Sequence, residues 1–190
     1  MLHLSYNQMK SMISEFLFKN LTNEYRVKTW RKLGAKVGEN CRIHCLSLSA
    51  ESYLIELGDN VIIAKNSKLI IHEGSVCVFH NENRYLDLFG KIKIGNNTFI
   101  GMNCIILPKT TIGNNCVIGA GSVVRGNIPD NSVVIGNPAQ IVMSTEQYSK
   151  KVFSNPALFE YKRLNKDEKK KILIERFTKE TLEQDKNINS

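Results

Sequence analysis

The chain predicts an all-β core folded as a parallel β-helix, with helical appendages at both ends. Two observations predict it. From Ile94 to Pro129 the sequence reads as consecutive six-residue units, each opening with an aliphatic: Ile94, Ile100, Ile106, Ile112, Ile118 and Val124. Four residues after the first five stand Thr98, Cys104, Thr110, Cys116 and Ser122, all small enough for a tight corner packed inside a coil. A helix repeats its apolar face every 3.6 residues and a strand every two, so a period of six with small residues between belongs to a parallel β-helix.

Three such units make one eighteen-residue turn of a triangular solenoid. Ile94 should therefore stack on Ile112, Ile100 on Ile118, and Ile106 on Val124. Burying each is worth about 1.5–3 kcal/mol, shared in one continuous core. Gly95, Gly101, Gly113 and Gly119 follow the aliphatics, and Asn recurs in pairs at 96–97 and 114–115. Both residue types tolerate the positive φ that corners demand.

The elements are taken in chain order. Residues 1–36 read as a helical cap. Met9, Met12, Ile13, Phe16 and Leu17, then Val27, Trp30 and Leu33, recur at helical spacing, and Gly34 supplies a stop. Residues 37–143 carry the solenoid. It starts at Val37, and the next clear start, Leu57, comes twenty residues later, so a bulge near 47–52 should absorb two extra residues. From Leu57 a regular coil would restart at 75, yet the register resumes at Ile94. The surplus predicts a loop excursion over about 72–92, and loops thrown out from a rigid scaffold tend to carry function. Gly136-Asn137-Pro138 reads as the closing turn. Residues 144–190 form a helical extension broken at Asn155-Pro156.

Composition narrows the classes. The net charge of +8 resides in the flanks: residues 1–36 hold seven Lys/Arg against two Asp/Glu, 37–144 eight against eight, and 145–190 eleven against eight. A nucleic-acid surface would place its charge on the folded core with aromatics interleaved, so no nucleic-acid partner is expected. No stretch reaches the roughly 20 apolar residues of a membrane span, and no signal-peptide layout opens the chain, which gives a cytoplasmic expectation. Cys41, Cys104 and Cys116 fall on the small-corner position and read as buried hydrophobes, with no metal site expected.

The hexapeptide run, together with Gly119-Ala120-Gly121-Ser122-Val123-Val124 and Gly136-Asn137-Pro138-Ala139, resembles the left-handed β-helix acyltransferases. The likeness covers about residues 30 to 143 and is nearest to O-acetyltransferases of sugars, galactosides, maltose and capsular or surface polysaccharide. It implies a left-handed coil, acetyl-CoA as donor, a carbohydrate acceptor, and a homotrimer with active sites between subunits.

Transfer of an acetyl group from a thioester to a hydroxyl needs a base, and histidine is the usual one at neutral pH. His72 stands where the excursion leaves the solenoid, and the resemblance places the general base there. Glu73 follows it where members of that family mostly carry Asp. His80 is the runner-up base or a substrate contact, and Glu73, Arg84 and Tyr85 of the excursion are further acceptor candidates. Glu51, one layer before His72, is an orienter of the base or an acceptor for a sugar hydroxyl. The resemblance carries the pantetheine contacts to Met102 and Ala120, one coil apart, and a position often Trp to Phe99. Arg125 and Lys109 are candidates for CoA phosphates. Other readings are an amino-sugar N-acetyltransferase, a xenobiotic acetyltransferase, or a non-catalytic scaffold, because fold does not fix function. The spacing of His72 and His80 does not match the zinc motif of β-helical carbonic anhydrases.

Overall fold

The computed structural model describes residues 22–45, 49–79, 86–160 and 164–188, and the chain divides into two compact units, Met1–Lys150 and Lys151–Ser190. Short strands dominate the first: β1 (Lys36–Val37), β2 (Arg42–Ile43), β3 (Ile55–Leu57), β4 (Ile62–Ile63), β5 (Lys68–Leu69), β6 (His72–Glu73), β7 (Leu88–Phe89), β8 (Ile92–Ile94), β9 (Phe99–Ile100), β10 (Ile105–Ile106), β11 (Thr111–Ile112), β12 (Val117–Ile118), β13 (Val123–Val124), β14 (Asn127–Ile128), β15 (Ser132–Gly136) and β16 (Ala139–Ser144). The solenoid strands stack as three parallel faces that the chain visits in rotation. The first face is β1-β3-β8-β11-β14, the second β2-β4-β9-β12-β15, and the third β5-β10-β13. Ile94 pairs with Ile112, Ile100 with Ile118 and Ile106 with Val124, as the period requires. All six aliphatic starts are buried to 1% exposure or less.

The corners explain why period six is enforced. Thr98, Cys104, Thr110, Cys116 and Ser122 are all at most 1% exposed. Each polar atom there has a carbonyl partner: Thr98 Oγ1 donates to Gly113 O at 3.0 Å, Cys116 Sγ to Pro129 O at 3.2 Å, and Ser122 Oγ to Gly119 O at 2.6 Å. Burial pushes the Cys41, Cys104 and Cys116 thiols above their ordinary value. They are neutral packing groups, not nucleophiles.

At the corner between the first and second faces, Asn60, Asn97, Asn115 and Asn131 all adopt positive φ, from 53° to 59°. Their side chains form a ladder. Asn60 Nδ2 donates to Asn97 Oδ1 at 2.9 Å, Asn97 Nδ2 to Asn115 Oδ1 at 3.2 Å, and Asn115 Nδ2 to Asn131 Oδ1 at 3.1 Å. Asparagine is selected twice here: it tolerates the left-handed backbone, and its amide both gives and takes a hydrogen bond. The preceding residues repeat the device, with Asn96 N donating to Asn114 Oδ1 and Asn114 N to Asp130 Oδ1, both at 2.8 Å.

Three irregularities interrupt the coil. The first coil pairs Val37 with Leu57, twenty residues apart. Leu57 pairs with Ile94, and the chain between them leaves as an antiparallel hairpin of β6 and β7 joined to a 3-10 stretch, Gly74–Phe79. The last coil is shorter than the six-residue reading expects, since Ile112 pairs with Ile128 and Ile118 with Val134. Only Arg125 and Gly126 separate β13 from β14, a tight turn with Gly126 at φ 78°. Beyond it, β15 and β16 form an antiparallel hairpin around the Gly136-Asn137-Pro138 turn. That strand pairing was not foreseen, because the turn signal alone does not say which way the chain continues.

Helix α1 (Asn23–Lys32) is capped by Thr22, whose hydroxyl accepts from Tyr25 N. It docks on the first coil through Asn23, which donates to Cys41 O and accepts from Ile43 N, and through fully buried Trp30. Gly34, at φ 91°, follows the helix. The expected helical stripe at residues 9–17 lies outside the described residues. Helix α2 is Thr145–Phe153, and in the second unit α3 runs Lys166–Ile188. Among the described residues no helix is long and apolar enough to cross a membrane.

The ladder and the Glu56 cluster each predict a stability effect. Replacing Asn97 by Ala should destabilise the fold by about 1–3 kcal/mol in urea unfolding, from left-handed strain plus broken ladder bonds, and Asn97→Gly should cost less. Glu56, with Lys91 at 2.7 Å and Lys36 at 3.0 Å, has its carboxylate lowered to about 2, first by Lys91 and then by Lys36. The folded value lies below the unfolded one, so this contribution is complete above about pH 4.5 and disappears as pH falls towards about 2. The stability gap between wild type and Glu56→Gln should close over that window and shrink with salt.

Candidate active site

The hairpin root brings the two sequence-predicted catalytic residues together. β6 begins at His72, directly after buried Ile71, and its pairing with β7 sets His72 opposite Phe89 and Glu73 opposite Leu88. The His72 and Phe89 rings lie 5.5 Å apart at 41°. Gly90 N donates to Ile71 O at 2.8 Å, which closes the hairpin base. No side chain fits at Gly90, where an added Cβ would sit 2.4 Å from Lys109 N.

Glu51 arrives from the irregular first coil. Its Oε2 lies 3.8 Å from His72 Nδ1, within ion-pair distance but longer than a hydrogen bond. The carboxylate is held by its own turn: Ser49 Oγ donates to Glu51 Oε2 at 3.1 Å and accepts from Glu51 N at 3.2 Å. Ser52 ties the turn down, its Oγ donating to Ser49 O at 2.7 Å, and is fully buried. A carboxylate fixed beside one ring nitrogen can orient an imidazole and leave the other nitrogen to handle a proton. Ser49 and Phe89 are the residues that sequence reasoning missed. Ser49 had a signal, as a hydroxyl two residues before a carboxylate in a turn. Phe89 had none, because the length of the excursion does not reveal its register.

Met102 and Ala120 occupy successive coils at the corner between the second and third faces, where Gly121 N donates to Met102 O at 2.8 Å. Phe99 and Met102 are exposed, and Ile105 beside them is 37% exposed. An added Cβ at Gly121 would meet no atom within 4 Å. This edge therefore offers an apolar strip with open space over backbone.

Lys109 and Arg125 lie at the next corner, between the third and first faces, one and two coils beyond His72. With Glu73, Leu88, Leu107, Pro108 and Gly126 they line a shallow cleft of about 240 Å³. Lys109 has φ 61°, while the other non-glycine residues with positive φ among those described are all asparagine. His80, Arg84 and Tyr85 lie outside the described residues. Among the described residues no group of three or more His, Cys, Asp or Glu could hold a metal ion.

Comparison with known proteins gives a consistent set of relatives. Residues 91–126 match the family described as bacterial transferase hexapeptide, six repeats. The chain is 42% identical over 172 residues to Protein CapG of Staphylococcus aureus, spanning 89% of this chain and 96% of that protein. It is 35% identical over 106 residues to the galactoside O-acetyltransferase of Escherichia coli K12, spanning 56% of this chain and 52% of that enzyme. A solved galactoside acetyltransferase in complex with coenzyme A is similar in fold, with TM-score 0.56 and 27% identity over 80% of this chain and 87% of that one.

Proposed function

Because the chain belongs to the bacterial hexapeptide transferase family, we propose that it is an acetyl-CoA-dependent O-acetyltransferase of a sugar hydroxyl, built as a left-handed β-helix and acting as a homotrimer. Residues 1–36 cap the solenoid, 37–143 form the transferase domain and 144–190 a helical extension. Acetyl-CoA is the acyl donor, in keeping with the relative that binds coenzyme A. The observation that carries the reading is the His72–Glu51 pair at the root of the hairpin.

His72 accepts the proton of the acceptor hydroxyl as its oxygen attacks the thioester carbonyl. The new C–O bond forms, the C–S bond breaks, and the proton passes from His72 to the departing thiolate. Glu51 holds the ring from the Nδ1 side, and Phe89 limits its tilt. The pantetheine arm lies along Phe99, Met102 and Ala120 of one copy, against the hairpin edge of the next. In that arrangement His72, Lys109 and Arg125 mark successive heights on the facing edge, so the two cations stand towards the phosphate end of the donor. The exposed apolar strip at Phe99, Met102 and Ile105 supports burial between copies. Glu73 stands beside His72 as an acceptor contact, and His80, Arg84 and Tyr85 are further candidates for the acceptor.

CoA release from acetyl-CoA across a panel of sugars, sugar phosphates and oligosaccharides tests this. One acceptor class should give turnover, and His72→Ala should lower kcat by about 10²–10⁴-fold with the fold intact. An unaffected variant would remove His72 as base. Ala120→Trp should raise KM for acetyl-CoA at least tenfold, roughly the loss of one good contact, and leave the acceptor KM alone.

A further inference from the structure

The edge that carries Met102 and Ala120 changes character towards its N-terminal end. Lys65, Met102 and Ala120 stack in successive coils, since Asn103 N donates to Lys65 O at 3.2 Å and Gly121 N to Met102 O at 2.8 Å. In the adjoining column His44, Ala64, Gly101 and Gly119 each follow a paired strand residue, with His44 N donating to Ile63 O, Ala64 N to Ile100 O and Gly101 N to Ile118 O. On the outer surface of the second face Arg42 heads the row Ile62, Phe99 and Val117. The strip is apolar at Phe99, Met102 and Ala120, and becomes basic at Arg42, His44 and Lys65. Neighbouring coils are about 4.8 Å apart, so the change is complete within about 15 Å.

These groups have an unbalanced charge. Arg42 and Lys65 are exposed and make no ion pair with any of the described residues. Arg26 of α1 donates through Nη1 to Ile43 O at 3.0 Å and lies 3.1 Å from His44 Nδ1. His44 Nδ1 is then the acceptor, which leaves its Nε2–H as a donor. Burial first, then Arg26, Lys65 and Arg42, lower the His44 value.

Height along the coil axis links this cluster to the base. Lys65 lies between β4 and β5, and His72 follows β5, so the two occupy the same coil. A three-fold axis parallel to the solenoid carries each coil to the same height on the neighbouring copy. His72 of one copy therefore faces this corner of the next at the level of Lys65. The acceptor hydroxyl has to sit there, against the thioester, whereas the phosphates of CoA lie a full pantetheine arm away. We propose that Arg42, His44 and Lys65 form an anion subsite for the acceptor, so that the sugar acetylated carries a phosphate or carboxylate group. This rests on the trimeric transferase reading above. A guanidinium, an ammonium and an imidazole N–H grouped on one corner suit the oxygens of either anion.

Calorimetric titration of the 190-residue chain tests it, with CoA, N-acetylglucosamine 1-phosphate, glucuronic acid and neutral N-acetylglucosamine as probes. Wild type should bind a charged sugar more tightly than the neutral one. Arg42→Ala combined with Lys65→Ala should weaken that binding by at least about tenfold while CoA affinity stays within about twofold, and Arg42→Lys with Lys65→Arg should retain it. If the alanine pair weakens CoA instead, the cluster serves the donor and the acceptor assignment is overturned. Equal affinity for charged and neutral sugars, or no binding of either charged sugar, overturns the subsite. Failure of wild type to bind CoA would remove the transferase reading and the subsite with it.

Discussion

The fold depends on its corners. A chain that turns every six residues has no room for a large side chain on the inside of the turn, and each coil must nest against the next at strand spacing. Two solutions recur here. Inward positions take Thr, Cys or Ser, whose short polar side chains reach a carbonyl, of the adjoining coil for Thr98, Cys104 and Cys116 and of its own turn for Ser122. Outward positions take asparagine with positive φ, whose amides link coil to coil from Asn60 to Asn131. The aliphatic core is a consequence, since every strand is held in register on both sides.

This rigidity gives the edges of the solenoid their chemical use. A residue on an edge is fixed in height by its coil and in direction by its corner, so side chains far apart in sequence form columns. Lys65, Met102 and Ala120 form one such column, and the run from His72 to Lys109 and Arg125 tracks another edge. The single large departure, the β6–β7 hairpin, projects from the second of these edges, with His72 at its root and the Ser49–Glu51 turn beside it. The positive φ of Lys109 is the one place where a corner departs from asparagine or glycine among the described residues, and its side chain lies in the cleft beneath the hairpin.

The sequence made the solenoid legible because its period is a packing rule that each unit must obey separately. The stacking of Ile94 on Ile112 and of Ile106 on Val124 was readable for that reason, and so was the nearness of Glu51 to His72 by coil counting. Features decided by contacts across the sequence escaped. The last coil loses two residues because Arg125-Gly126 turns more tightly than the four-residue corners before it, and Gly126 does not announce how many residues its turn will use. The antiparallel strand Ala139–Ser144 escaped because its pairing with Ser132–Gly136 depends on the direction the chain takes after the turn. Phe89 reaches His72 only through the hairpin register. His80, Arg84 and Tyr85, read from the same excursion, lie outside the described residues.

The central claim is that one active site combines the hairpin root of one copy with the apolar edge of another. Complementation between a variant without the base and one with weakened donor binding tests it most directly. His72→Ala and Ala120→Trp are unfolded together, refolded as mixed trimers, and assayed for transfer at acetyl-CoA far below the raised KM of Ala120→Trp, with each variant refolded alone as the baseline. If the site spans two copies, random assembly from equal amounts restores about a quarter of the sites, each pairing an intact His72 with an intact Ala120 from its neighbour. If both residues serve a site within one chain, every site in the mixture keeps a lesion, and no activity returns.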